Sequence, residues 1–261
     1  MVGNLKRTCA KVVSALVMAL VVLVGASHFA NAAPAPDCTP RLTSALMPGA
    51  MVRLSATAPC APGALVKLRH GGVLFDMVAD AAGRLDVDIP ALSEIAVFEA
   101  EISGQTLRTT VAIPDFDTYQ RITLQWQGQT GLQIHAREFG ATHGSDGHIW
   151  VDAPGTAQRA IRARGGFITR LGDDTLQDGH SAEIYVFPTE MTLRTGTIRL
   201  SVQTMVDAYT CGTTVHGHAM QPGGDGKMAQ TALTVEIPAC DAIGDILVLN
   251  NLLRDMKIAA N

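Results

Sequence analysis

Two histidines one residue apart, His216 and His218, are the pair in this chain best spaced to act together. Side chains alternate along extended backbone, so both imidazoles leave the same face, as a metal or a shared hydrogen-bond network requires. A mononuclear Zn or Cu site needs a third and usually a fourth ligand, and His180, His143 and His148 are the candidates to supply it. Spacing alone does not make them converge, and two-histidine matches are common in unrelated sequences. The chain is therefore read as having no cofactor, with these histidines packing or solvating strands and loops. A metal-binding protein or metal-dependent hydrolase built on His216, His218 and His180 is the competing reading.

The His-x-His pair resembles that of cupin metal sites, but Ala219-Met220-Gln221-Pro222-Gly223 follows where that pattern expects a glutamate. His135-Ala136-Arg137-Glu138 begins like an inverted zincin motif, and Phe139 stands in place of its second histidine. The basic cluster Arg159, Arg162, Arg164 and Arg170 has the chemistry to grip phosphate or carboxylate groups of an envelope polymer or partner protein. Without interleaved aromatics it is read first as a solvated loop and strand edge. Gly144-Ser145-Asp146-Gly147, Gly223-Gly224-Asp225-Gly226 and the Asp173, Asp174, Asp178 loop offer oxygens to calcium but no diagnostic spacing, and are read as turns. No nucleophile elbow, phosphate loop, dinucleotide fingerprint or His-Glu-x-x-His helix occurs, so no catalytic residue is assigned.

These residues sit in a chain addressed for export. Lys6, Arg7 and Lys11 precede an apolar run from Val12 to Ala26, which leads to small residues at Ala30 and Ala32. That is the layout of a secretory signal peptide, residues 1–32, with cleavage expected after Ala32 and a periplasmic or secreted product. The run would rise about 22 Å as a helix, short of the roughly 30 Å hydrocarbon core, so it is not read as an anchor. No later segment is apolar enough to span a bilayer. Loss of the three basic leader residues takes the net charge from −4 to about −7, which excludes nucleic-acid binding by bulk charge. Four cysteines remain, Cys38, Cys60, Cys211 and Cys240, an even number that implies two disulfides in an oxidising compartment. Three connectivities are possible, of which local pairing, Cys38 with Cys60 and Cys211 with Cys240, is preferred.

Periodicity predicts an all-β protein of two β-sandwich-like domains. Short alternating runs recur at 51–56, 64–69, 73–79, 84–89, 96–102 and 105–113, separated by Gly-rich turns. Within them, Gly63-Ala64-Leu65-Val66-Lys67-Leu68 and Asp80-Ala81-Ala82-Gly83-Arg84-Leu85-Asp86-Val87-Asp88-Ile89-Pro90 give a strand, a tight turn and a strand ending at Pro. On these residues the region from about 45 to 113 resembles secreted Ig-like and carboxypeptidase-regulatory-like (transthyretin-like) sandwiches. That resemblance implies an accessory or adhesive module and no catalytic residues. Pro114 is the expected boundary between a small sandwich, 33–114, and a larger β-rich domain, 115–261. In the latter, strands are expected near 122–126, 132–136, 148–151, 166–170, 182–187, 197–203, 209–215 and 231–237. The end is open: Ile246, Leu249, Leu253 and Met256 have helical spacing, whereas Asn250-Asn251 would turn two short strands. The functional expectation is an exported, non-enzymatic binding, adhesion or assembly component of the envelope.

Overall fold

The alternating runs become antiparallel strands. A computed structural model describes residues 37–223 and 228–259, so the leader, its cleavage point and most of the Gly223-Gly224-Asp225-Gly226 loop lie outside the described residues. Ahead of Pro114 come β1 (Arg41–Met47), β2 (Met51–Thr57), β3 (Leu65–His70), β4 (Val73–Val78), β5 (Arg84–Pro90), β6 (Ile95–Ile102) and β7 (Gln105–Ala112). They form one sheet in the order β1-β2-β5 and another in the order β4-β3-β6-β7. β1 has no counterpart among the expected strands, because it runs along a sheet edge with both faces half-exposed and carries little alternation.

After a 3-10 turn at Phe116–Thr118 the chain makes β8 (Gln120–Gln127), β9 (Gln133–Glu138), β10 (His148–Ile149), a short helix α1 (Ala157–Ile161), β11 (Phe167–Leu171) and β12 (His180–Phe187). β13 (Gly196–Met205), β14 (Thr214–Pro222), β15 (Met228–Glu236), β16 (Ile246–Leu249) and β17 (Met256–Ile258) complete it. One sheet runs β11-β12-β8-β14-β15; the other runs β10-β9-β13-β16, with β17 also on β13. β14 starts later than expected because the Asp207 carboxylate accepts from the Tyr209 and Thr210 amides, holding 207–213 as a turn. The chain end takes the two-strand alternative, and Asn251 turns it with φ +64°.

β12 shows why a continuous apolar run belongs in a sheet with both faces covered. Its Ala182, Ile184 and Val186 pack with Phe75, Phe98 and Ile89 of the first two sheets, while Tyr185 and Phe187 pack with Ile198 and Val202 on the other side. The larger of these, such as Ile184, Val186 and Phe187, each contribute about 1.5–3 kcal/mol when fully buried. Polar groups stitch the same junction: Asp76 on β4 accepts from the His180 amide and ring, and the Leu74 amide donates to Gln125. The described residues form one compact unit, with the first two sheets drawn wholly from before Pro114 and the other two wholly from after it. Cys38–Cys60 and Cys211–Cys240 are both bonded, as local pairing requires.

Candidate functional site

Extended backbone places His216 and His218 on one exposed face of β14. His216 meets Thr234 Oγ1 at 3.2 Å, while His180 is held by Asp76 at 2.9 Å on the far side of β8. The three are not brought together. Among the described residues no three His, Cys, Asp or Glu side chains gather as a metal ion would require. The arginine cluster is dispersed as well. Arg159 binds buried Glu138 (2.8 Å) and Asp146 (3.3 Å), and Arg170 binds buried Glu183 (3.0 Å) and Asp174 (3.1 Å). Only Arg162 and Arg164 stay exposed without an ion pair. The candidate calcium oxygens are engaged too, Asp146 and Asp174 by those arginines and Asp173 by Thr175.

What the fold does assemble is a second cationic group that the linear pattern hides. Register pairs Arg137 on β9 directly with Arg199 on β13, and Lys257 on β17 with Thr197, two residues from Arg199 and so on the same face. Arg254, just before β17, joins them; its amide donates to Gln221 Oε1 and its Nη2 to the Pro222 carbonyl. The four cations line a groove of about 610 Å³ with Ser201, Asn250, Asn251 and Asp255. Asp255 is the one carboxylate of that lining, and it accepts the Leu200 amide at 3.0 Å. None of the four cations stands in an ion pair among the described residues. Like charges opposed across strands destabilise a sheet, so Arg137 and Arg199 are held together against their own repulsion on a protein of net charge −4.

Beside Arg137, on the same face, lies a histidine cluster. His148 is Arg137's partner in register on β10, and His135 sits two residues before it. The Gly144 amide donates to His148 Nδ1 at 3.0 Å, so that nitrogen carries no proton. His148 must then donate from Nε2 to His135 Nδ1, 2.9 Å away, leaving the His135 proton on Nε2. Trp150 stacks on both rings, and exposed His143 packs against His148 and Trp150. Burial, then the neighbouring histidines and Arg137, push His135 and His148 down to about 4. The two rings thus form a neutral hydrogen-bonded relay. It also explains why the polar Ser201 and Gln203, which alternate with Leu200 and Val202, are buried: His135 lies opposite Ser201 beneath Trp150.

A larger cavity, about 670 Å³, is lined by Phe116, Tyr119 and Arg121 together with Glu94, Asp117, Glu190 and Lys257. Arg121 is 5 % exposed, stacks on Phe116 and donates Nη1 to the Phe116 and Tyr119 carbonyls. Burial pushes it down to about 10, and its Nε and Nη2 are sealed away without partners. The mixed signs of that lining select for no ligand charge, unlike the groove. Glu183 is a different kind of outlier. Burial pushes its carboxyl up to about 7 against the opposing pull of the Ile134 amide and Arg170. It is fully buried and paired with Arg170 at 3.0 Å.

No family model matches this sequence, and no curated protein matches it. Among solved structures, the chain is similar to one described as a Ca2+-stabilized adhesin that helps an Antarctic bacterium reach out and bind ice. The two are 13 % identical over 73 % of this chain and 69 % of that one, with a TM-score of 0.18. A superposition of that quality carries no argument about fold or activity. Among the described residues no helix is long and apolar enough to cross a membrane.

Proposed function

We propose that this protein is an exported, non-enzymatic binding module of the cell envelope, periplasmic or secreted, that holds an acidic envelope polymer across the groove of Arg137, Arg199, Arg254 and Lys257. The observation that carries the reading is the unneutralised cross-strand pair Arg137 and Arg199, reinforced by two more cations on an otherwise acidic protein. A carboxylate or phosphate bridging them relieves their repulsion and accepts charge-assisted hydrogen bonds, each about twice as strong as a neutral one. The signal peptide at 1–32, the division at Pro114 and an Ig-like or carboxypeptidase-regulatory-like first sandwich belong to the same proposal. Two disulfides support an oxidising compartment. The first sandwich would serve as scaffold and the second half would carry the site.

The test is binding of poly-L-glutamate and of polyphosphate to the purified protein at several salt concentrations. Wild type binds at least one probe, and the affinity falls as salt rises. Arg137→Gln with Arg199→Gln weakens binding about tenfold or more, equivalent to about 1.4 kcal/mol, and flattens the salt dependence. Arg162→Gln with Arg164→Gln removes the same charge elsewhere and leaves binding within about twofold. Equal loss in the two double variants, or no binding by wild type, overturns the reading.

A further inference from the structure

β15 is the end strand of the five-stranded sheet β11-β12-β8-β14-β15, and it is long. It pairs with β14 along its whole length, from Met228 opposite Pro222 to Glu236 opposite Thr214. Its other side pairs with no strand among the described residues. Natural edge strands are guarded by charge, proline, a bulge or brevity. Most of the other edges here have such guards: β5 carries Arg84, Asp86 and Asp88, β4 carries Asp76, β7 carries Arg108, β11 carries Arg170, and β10, β16 and β17 have two, four and three residues, while β1, charged only at Arg41, meets β7 through a Ser44–Thr109 hydrogen bond. Met228-Ala229-Gln230-Thr231-Ala232-Leu233-Thr234-Val235-Glu236 has none of them until its final residue. Among the described residues a row of backbone donors and acceptors is thus left without a strand partner and without a device to repel another strand.

We infer that the occupant of this edge is a second copy of the same chain, paired antiparallel about a two-fold axis at Ala232. That axis sets the register. Met228 meets Glu236, Ala229 meets Val235, Gln230 meets Thr234, Thr231 meets Leu233, and Ala232 meets itself. The single charge of the strand lies opposite a methionine, so no like charges oppose one another. Ala229 and Thr231 lie on the face that Leu233 and Val235 bury, yet they are exposed. In the pair they come against the partner's Val235 and Leu233, which extends the buried face of one sheet into the next. Self-complementarity of this kind is what an isologous two-fold contact demands, and the backbone hydrogen bonds are those of strand addition. The inference is independent of the groove, since it needs neither its cations nor its ligand. If both hold, each dimer presents two grooves, and avidity for a repeating polymer rises without any new contact.

The experiment is sedimentation velocity on the full purified protein over a wide concentration range, in low and in high salt. Wild type shifts from monomer to dimer with concentration and does so at both salt levels, which separates this contact from the groove. Ala232→Lys and Ala232→Glu each place like charges at the self-paired position, and each stays monomeric. An equimolar mixture of the two restores the dimer, because lysine then faces glutamate. Circular dichroism shows both variants folded. Should either variant fail to fold, amide hydrogen exchange on wild type decides the matter: protection of the β15 amides rises with protein concentration. A monomeric wild type at every concentration, a dimer that survives both substitutions, a mixture that stays monomeric, or β15 protection independent of concentration overturns the inference.

Discussion

His70 makes this protein measurably acid-labile, and the effect can be sized. The ring is 1 % exposed and stacks on Phe98 with centroids 4.0 Å apart. The Leu92 amide donates to Nε2 at 2.8 Å, so Nδ1 bears the proton and donates to the Val97 carbonyl, also at 2.8 Å. Both nitrogens are satisfied only in the neutral ring; a second proton would set N–H against N–H. Burial, with a smaller push from Arg121, takes His70 from 6.5 down to about 4. Between those values the unfolded chain binds the proton and the folded one refuses it, so stability is full above pH 6.5 and drains away as the pH falls. The loss reaches about 2 kcal/mol by pH 5 and about 3 kcal/mol by pH 4 from this residue alone. Urea unfolding at pH 7.5, 6, 5 and 4 measures it, with His70→Gln as the comparison because an amide keeps a donor and an acceptor but does not titrate. The variant starts about 1–2 kcal/mol less stable at pH 7.5. Its decline to pH 5 is shallower than wild type's by about 2 kcal/mol. If the two decline in parallel, the neutral-ring argument is wrong, whatever else causes the acid sensitivity.

Three further outcomes follow from local geometry. Gly83 and Gly63 both have positive φ, but a Cβ on Gly83 would run into the Ala58 carbonyl whereas one on Gly63 meets nothing within 4 Å. Gly63→Ala should cost about 1 kcal/mol and Gly83→Ala several times that in thermal melts. Glu138 is fully buried and accepts from the Gly166 amide, Tyr185 Oη and Arg159, so Glu138→Leu should cost about 3–5 kcal/mol, and adding Arg159→Met should recover part of it. No recovery would mean that Arg159 is not the group left stranded. The disulfides close separations of 22 and 29 residues, so Cys38→Ala with Cys60→Ala, or Cys211→Ala with Cys240→Ala, should each lower stability by about 3 kcal/mol in chemical denaturation.

Strands were readable wherever one face is buried and the other wet, because the period of two then appears in the residues themselves. β2 through β7 emerge within a residue or two of their observed ends, and the alternation of Ile198, Leu200 and Val202 marks β13. Legibility failed where the surroundings were unusual. β1 lies at an edge and alternates little, and the offset of β14 came from a side-chain-capped turn at Asp207. The site was legible only in part. Neighbouring letters drew attention to Arg159 and Arg170, which the fold neutralises with Glu138 and Glu183, and passed over Arg137, Arg199 and Lys257, which it leaves bare. His135 was noticed only through a motif it does not complete.

From its residues alone this protein's β class and its count of two disulfides could be read, because alternation and an even number of cysteines are properties of the sequence; of three connectivities the structure takes the local one. Which charges meet, which histidine ring gives up which proton, and which strand is left at the rim depend on pairing between segments far apart in the chain. A strand's register with its neighbour is chosen by the whole buried core, so Arg137 finds Arg199, and β15 finds no second neighbour among the described residues, only after every other strand has taken its place.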